Sequence, residues 1–275
     1  MPGDALTVFR ERFGATRALI GMLHLGALPG TPSASDSVDA LIQQTLTEAR
    51  IYREAGFTAL GIENMHDRPY LKGGVGPEIT AAMTAIARDV KRETGLVVGI
   101  QVLAGANREA LAVAHASGAD FVRVEGFVYA HVADEGVIES CAGELLRYRH
   151  AIGAERVRVF ADIKKKHSAH AITADVSIVE TAKAAEFFLA DGVIVTGAST
   201  GEPASPDEVR DVVGAAHVPV LVGSGLTPEN LARFSSAQGF IVGSSVKQGG
   251  VWCNPLDREA VRAVAGAFTE LSLDR

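Results

Sequence analysis

Four stretches of the chain share one form: AGFTALGIEN (residues 55–64), SGADFVRVEG (117–126), ADGVIVTG (190–197) and AQGFIVGS (237–244). Each starts where a helical pattern ends, places a glycine within its first three residues, runs largely apolar and closes on a polar cluster. Glycine just past a helix end takes the left-handed turn that returns the chain to a strand. Short runs rich in Val, Ile and Phe are what strands covered on both faces look like. Working outward from these four, similar apolar runs give eight strands, at 18–23, 58–62, 96–102, 121–124, 157–161, 192–196, 218–223 and 240–243. Amphipathic segments such as 36–55, 77–94, 108–117 and 173–189 read as the helices between them. Ser205-Pro206-Asp207-Glu208 and Thr227-Pro228-Glu229-Asn230 each supply an N-cap, a proline at the first helical position and acids in the first turn. The strands recur every ~34 residues, the size of one βα unit. Eight parallel strands with eight crossovers close most readily into a (β/α)8 TIM barrel, with an open doubly wound sheet as the alternative. No linker or low-complexity tract breaks the chain, so residues 1–275 are expected to form one α/β domain. The longest loops, 26–35, 64–76 and 198–203, all follow strands.

Composition narrows the function. The chain has 275 residues, 47% hydrophobic and 21% charged, so it can build a large core and is not disordered. The net charge is −7, which argues against a nucleic-acid partner held by phosphate neutralisation. Cys141 and Cys253 form no CxxC and no zinc pattern, in keeping with a reducing, cytoplasmic setting. No apolar run reaches about 18 residues, so no integral membrane segment is expected. The opening Met1-Pro2-Gly3-Asp4 lacks the basic-then-apolar order of a signal peptide. A homo-oligomer is compatible with all of this.

Active sites of such barrels sit at the strand C-termini and the loops that follow. Here the first strand ends in His24, the second in Glu63-Asn64 and then Asp67, and the third carries Gln101. The fourth carries Arg123 and Glu125. The fifth ends in Asp162, followed by Lys164, Lys165, Lys166 and His167, and the sixth ends in Thr196-Gly197. The last two end in Gly223-Ser224-Gly225 and Gly243-Ser244-Ser245. Each of these polar groups alone has a structural explanation: a satisfied core histidine, a buried ion pair, a solvated lysine loop. Their convergence on one face points to a ligand pocket. Small residues in the last two turns leave backbone N–H groups open to an anion, at the usual phosphate position of barrels, and Lys247 is placed to add charge there.

With these residues in view, the chain resembles the BtpA/SgcQ family. The matching stretches are GMLHLGALPGTP (21–32), IEN (62–64), GIQVL (99–103), DFVRVEG (120–126), DEGVIES (134–140), ADIKKKH (161–167), VIVTGASTGEP (193–203), PVLVGSGLTPEN (219–230) and GFIVGSSVKQGG (239–250). They run in order over nearly the whole chain. The resemblance implies a TIM barrel of the ribulose-phosphate-binding type. It also implies relatives with a role in cyanobacterial photosystem I biogenesis and others in sugar-utilisation operons, and it supplies no catalytic residues. The second loop, Met65-His66-Asp67-Arg68, departs from the family pattern.

Three functions compete. The first is an enzyme on a small phosphorylated molecule, a sugar or phosphoribosyl compound. Its phosphate would sit on Gly223 to Gly225 and Gly243 to Ser245, near Thr196, Gly197 and Gln101. Glu63, Glu125 and Asp162, with His24 and Arg123, would move protons in an isomerase, epimerase or aldolase. Lys164 would be the Schiff-base candidate, or else a charge partner of Asp162 or Glu125. The second is a metal-assisted lyase or hydrolase. No cofactor fingerprint is present, but Glu63, Glu125 and Asp162, with His24 and His167, offer ligands to a divalent metal. The third is a non-enzymatic assembly factor for a membrane complex. Arg123, two residues from Glu125 on one strand, is expected to hold Glu125 ionised, and Lys164 to do the same for Asp162.

Overall fold

The computed structural model describes residues 4–197 and 199–273. Met1 to Gly3 of the opening and Ala198, the first residue of the expected 198–203 loop, lie outside them. Eight parallel strands close into a barrel: β1 (Ala18–His24), β2 (Ala59–Glu63), β3 (Val97–Gln101), β4 (Phe121–Val124), β5 (Arg158–Ile163), β6 (Gly192–Thr196), β7 (Val220–Gly223) and β8 (Gly239–Val242). Each pairs with the next in sequence, and β8 pairs with β1. The fold is the expected TIM barrel and not an open sheet.

Alternation along the strands divides the core in two. Outward-facing Leu, Val and Ile pack beneath the helices. Inward-facing Ala18, Ile20, Met22, Ala59, Phe121, Phe160, Ile194, Leu221 and Ile241 fill the barrel. A helix ahead of the first strand, α1 (Ala5–Phe13), closes the N-terminal end with Phe9 and Phe13, whose rings stack at 4.3 Å. Gly99 exists for space: a Cβ there would lie 2.0 Å from the Phe121 ring.

The outer helices are α2 (Val38–Glu54), α3 (Pro77–Thr94), α4 (Asn107–Ser117), α5 (Ala142–Ala151), α6 (Ile178–Phe187), α7 (Pro206–Ala215) and α8 (Arg258–Leu273). Ser205 caps α7 as its sequence implied, its hydroxyl accepting from the Glu208 N–H. The other expected helix start fails. After Thr227-Pro228 the Asn230 side chain accepts from the Thr227 N–H and donates to the Gly225 carbonyl. That local pairing competes with a helix, and only a short 3₁₀ turn, Leu231–Phe234, separates β7 from β8.

Two loops also build structure over the barrel mouth. His131–Ala133 and Gly136–Ile138 form a hairpin after β4, and Ser168–Ala169 of the loop after β5 adds a third antiparallel strand.

Candidate functional site

Register sets the site. His24 pairs with Glu63, and Glu63 with Gln101, so three inward polar residues stand in one row at the barrel top. The row continues through Arg123 and Asp162 on β4 and β5. The Arg123 guanidinium grips Asp162 with both forks, Nε to Oδ1 and Nη2 to Oδ2, each 2.9 Å. Only 1% of the Asp162 side chain is exposed. Burial by itself would lower the Arg123 pKa, but the Asp162 carboxylate more than offsets this and holds the guanidinium firmly charged.

The pairing differs from the expected Arg123–Glu125 and Lys164–Asp162. Arg123 serves Asp162, and Glu125 is served by Lys165: Lys165 Nζ lies 2.9 Å from Glu125 Oε2, while Gln101 Nε2 donates to Oε1 at 3.0 Å. Glu125 lies past the end of β4, where period-2 alternation no longer fixes its direction. Burial pushes its carboxyl up, and Lys165 opposes that only in part. Lys164 pairs with neither carboxylate: its ammonium donates to the Thr173 carbonyl at 2.8 Å and to the Thr173 hydroxyl at 3.2 Å. Lys247 is likewise turned aside, both Glu48 oxygens lying 2.9 Å from its Nζ. Asn64 and Asp67 tie loops together: Asp67 accepts from Asn64 and from the Leu28 N–H, and Asn64 accepts from the Leu103 N–H.

Two side chains at the mouth remain uncommitted. Glu63 has no hydrogen-bonded partner among the described residues, and His24 Nε2 lies 3.7 Å from its Oε2. Lys166 is half-buried, and its ammonium makes no hydrogen bond or ion pair among the described residues, although its N–H donates to Thr196 Oγ1 at 3.2 Å. Burial first, and the Arg123 charge second, hold its pKa below the usual lysine value. His24 is kept neutral, pushed down to about 3 mainly by burial, with Nδ1 on the Trp252 carbonyl at 3.1 Å.

These groups line two cavities that share walls. The first, about 270 Å³, is bounded by Glu63, Gln101, Arg123, Glu125, Lys165 and Lys166, with Met65, Leu103 and Trp252 as apolar wall. Asp134 and Glu135 reach it from the hairpin tip. Arg68 lies 4.9 Å over the Trp252 ring and roofs one side. The second, about 40 Å³, lies between the last two turns, bounded by His24, Ser224, Gly225, Gly243, Ser244 and Ser245. Glu63, Met65, Arg123, Lys166 and Thr200 border both.

In the smaller cavity, the N–H groups of Ser224, Gly225 and Leu226 donate to no acceptor among the described residues, and Ser224 and Gly225 both have positive φ. The Ser224 hydroxyl is spent on the Ser199 carbonyl and that of Ser245 on the Leu226 carbonyl, which leaves the Ser244 hydroxyl. Gly225 has a second reason to be glycine: a Cβ would sit 2.2 Å from Pro203 N. Gly197 is similarly pressed against the Glu202 carbonyl. At Gly243 and Gly223 a Cβ would meet only His24 and Met22, or Ile194, Thr196 and the Arg123 guanidinium, at 3.4 Å or more. Thr196 supports the Lys166 backbone and lines neither cavity.

The metal option has little to build on. Asp162 and Glu125 are engaged by cations, and His167 holds Thr200 through Nε2 at 2.8 Å. Among the described residues no three His, Cys, Asp or Glu side chains converge on one point.

The sequence places Lys164, Lys165 and Lys166 on the same face but gives a role only to Lys164, and assigns none to Trp252, Arg68 or the hairpin acids. The hairpin had a signal: VADEGV alternates around a tight turn, Val132 pairing with Val137 across Asp134-Glu135. Trp252 had none, since its loop is irregular.

Comparison with known proteins agrees with this architecture. The thiamine phosphate pyrophosphorylase of Pyrococcus furiosus superposes with a TM-score of 0.57 at 15% identity, over 98% of each chain, which speaks for the fold. No helix among the described residues is long and apolar enough to cross a membrane. An uncharacterized mitochondrial protein of Caenorhabditis elegans is 50% identical over 257 residues, covering 91% of this chain and 92% of its own. The photosystem I biogenesis protein BtpA of Synechocystis is 33% identical over 262 residues, covering 94% and 91%. The BtpA family model matches residues 15–270, and the chain belongs to the BtpA family.

Proposed function

We propose that this protein is an enzyme acting on a small phosphorylated molecule, of the sugar or phosphoribosyl kind, by acid–base chemistry. The observation that carries the reading is the junction of the two cavities at Glu63, Arg123 and Lys166. The smaller one offers open N–H groups and the Ser244 hydroxyl to a phosphate, and Lys166 and Arg123 supply positive charge beside it. The larger one would then hold the reacting carbons against Glu63. Glu63 is the group for proton transfer, because Asp162 is locked on Arg123 and Glu125 is shared by Lys165 and Gln101. Arg123–Asp162 and Lys165–Glu125 hold the floor of the site in place. Isomerisation, epimerisation and retro-aldol cleavage all need such a carboxylate over the carbon frame. The similarity to a barrel named for thiamine phosphate supports a phosphorylated ligand. A cytoplasmic enzyme is part of this reading, while the printed name of the worm relative is mitochondrial.

Thermal shift against phosphorylated sugars, nucleotides and inorganic phosphate tests it. A ligand at 100 times Kd should stabilise by about 2.7 kcal/mol. Ser244→Asp puts a negative charge into the smaller cavity and should erase that gain without unfolding the chain. An undiminished shift in the variant would overturn the phosphate site. The rival reading, a non-enzymatic assembly factor, draws on the name of the Synechocystis relative. It predicts that no phosphorylated compound stabilises the protein.

A further inference from the structure

Three consecutive lysines meet three different fates. Lys164 is spent on Thr173 and Lys165 on Glu125. Lys166 alone has an ammonium without a partner among the described residues, and it borders both cavities. A lysine kept only for structure would be expected to have a carboxylate or carbonyl on its nitrogen, as its two neighbours do. One kept only to bind phosphate would not need to border the larger cavity.

Its surroundings suit a nucleophile. Burial in the wall between the cavities disfavours its charged form, and the Arg123 guanidinium adds to this, outweighing the carboxylates of Glu63, Asp162 and Glu125. An amine beside another cation in a partly desolvated wall is how lysines become reactive near neutral pH. Glu63, also without a hydrogen-bonded partner, borders the same two cavities and can carry protons.

We infer that Lys166 is a covalent catalytic residue, forming an imine with the carbonyl carbon of a phosphorylated aldehyde or ketone whose phosphate lies on the Ser224 and Ser244 turns. The inference rests on the phosphate reading above and adds the substrate class, a carbonyl compound. In the step itself the Lys166 ammonium first passes one proton to the Glu63 carboxylate, the Nζ lone pair so freed attacks the carbonyl carbon, and the C=O π pair moves to oxygen. One proton passes from nitrogen to that oxygen, giving a carbinolamine. Glu63 delivers a further proton to the hydroxyl, which leaves as water as the C=N bond forms. No oxidant or reductant enters. The imine then withdraws electrons from the neighbouring carbon, which permits proton removal there or cleavage of the next C–C bond.

Pyridoxal 5′-phosphate, an aldehyde carrying a phosphate, is the probe. The full-length protein is treated with it and then with borohydride, which makes any imine permanent, and the modified lysine is located by peptide mass spectrometry. The adduct is expected on Lys166 ahead of the exposed Lys72 and Lys183. It should be lost in Lys166→Arg, suppressed by inorganic phosphate, and much weaker with pyridoxal, which lacks the phosphate. Stabilisation by pyridoxal 5′-phosphate that phosphate competes away, with no adduct on Lys166, overturns the imine and leaves the phosphate site standing. Neither stabilisation nor adduct overturns both. Adducts confined to Lys72 and Lys183, or an unchanged total in Lys166→Arg, also overturn the assignment.

Discussion

Asp162→Asn separates a structural clamp from a catalytic acid. The carboxylate is 1% exposed and holds both forks of a buried guanidinium at 2.9 Å. The amide keeps the shape and removes the charge, leaving Arg123 buried and uncompensated, one amide hydrogen facing a guanidinium donor. Breaking one side of such a pair costs about 3–5 kcal/mol. In a chain of this size each kcal/mol moves Tm by roughly 2–4 °C, so a drop on the order of 10 °C is expected. Calorimetry and urea unfolding give the number. The double variant Arg123→Met with Asp162→Leu removes both charges and should recover much of the loss, since well-packed apolar replacements of buried pairs are often neutral. The cycle of singles and double then gives a coupling energy of a few kcal/mol. A loss under about 1 kcal/mol for Asp162→Asn, with turnover falling on the order of 100-fold once activity is in hand, would refute the clamp and return Asp162 to proton transfer.

Other outcomes follow from the same geometry. Glu63→Gln should reduce turnover of the eventual substrate by ~100-fold while leaving Tm nearly unchanged, because the carboxylate stabilises nothing by hydrogen bonding; equal activity at equal fold would remove Glu63 from the chemistry. His24 is held near 3, against about 6.5 unfolded, so between those two values the unfolded chain binds a proton that the folded chain refuses. Its contribution to stability is therefore lost as pH falls from 6.5 to 3, and His24→Gln should flatten that part of the stability–pH curve; an unchanged slope in the variant would contradict it. Phe9→Ala opens the plug under the barrel and should cost about 3–5 kcal/mol, read by urea denaturation.

The barrel was legible because its signals are local and repeat. A glycine after most of the helices and a Val/Ile/Phe run recur in order, and crossover handedness leaves few ways to assemble them. The missing helix after β7 shows where local reading stops. Thr227-Pro228-Glu229-Asn230 carries the residues of a helix start, yet Asn230 spends its side chain on Thr227 and Gly225. Whether a capping pattern propagates depends on what the next residues find to bond, and that is tertiary information. The same holds for Gly225. Its tight turn after β7 was readable, but its approach to Pro203 from another loop was not. A bulky residue there would break the packing of two loops as well as any phosphate contact, which is why Ser244 is the cleaner probe.

For the site, parity along a strand predicted which side chains enter the barrel and failed to predict whom they meet. His24, Glu63, Gln101 and Arg123 all point inward as alternation requires. Partner choice, however, is set by register between strands. Arg123 stands opposite Phe160, so Asp162, two residues further along β5, comes within reach of its long side chain. Glu125 has left β4 and turns to Gln101 and Lys165 instead. The lysine run shows the limit most plainly. Lys164 and His167 take positive φ, at 48° and 53°, so the chain after β5 leaves extended geometry twice within four residues. Once alternation is gone, neighbouring lysines can face a turn at Thr173, an ion pair and an open cavity. From the sequence only Lys164 is singled out for chemistry; in the fold Lys166 is the one of the three whose ammonium has no partner among the described residues.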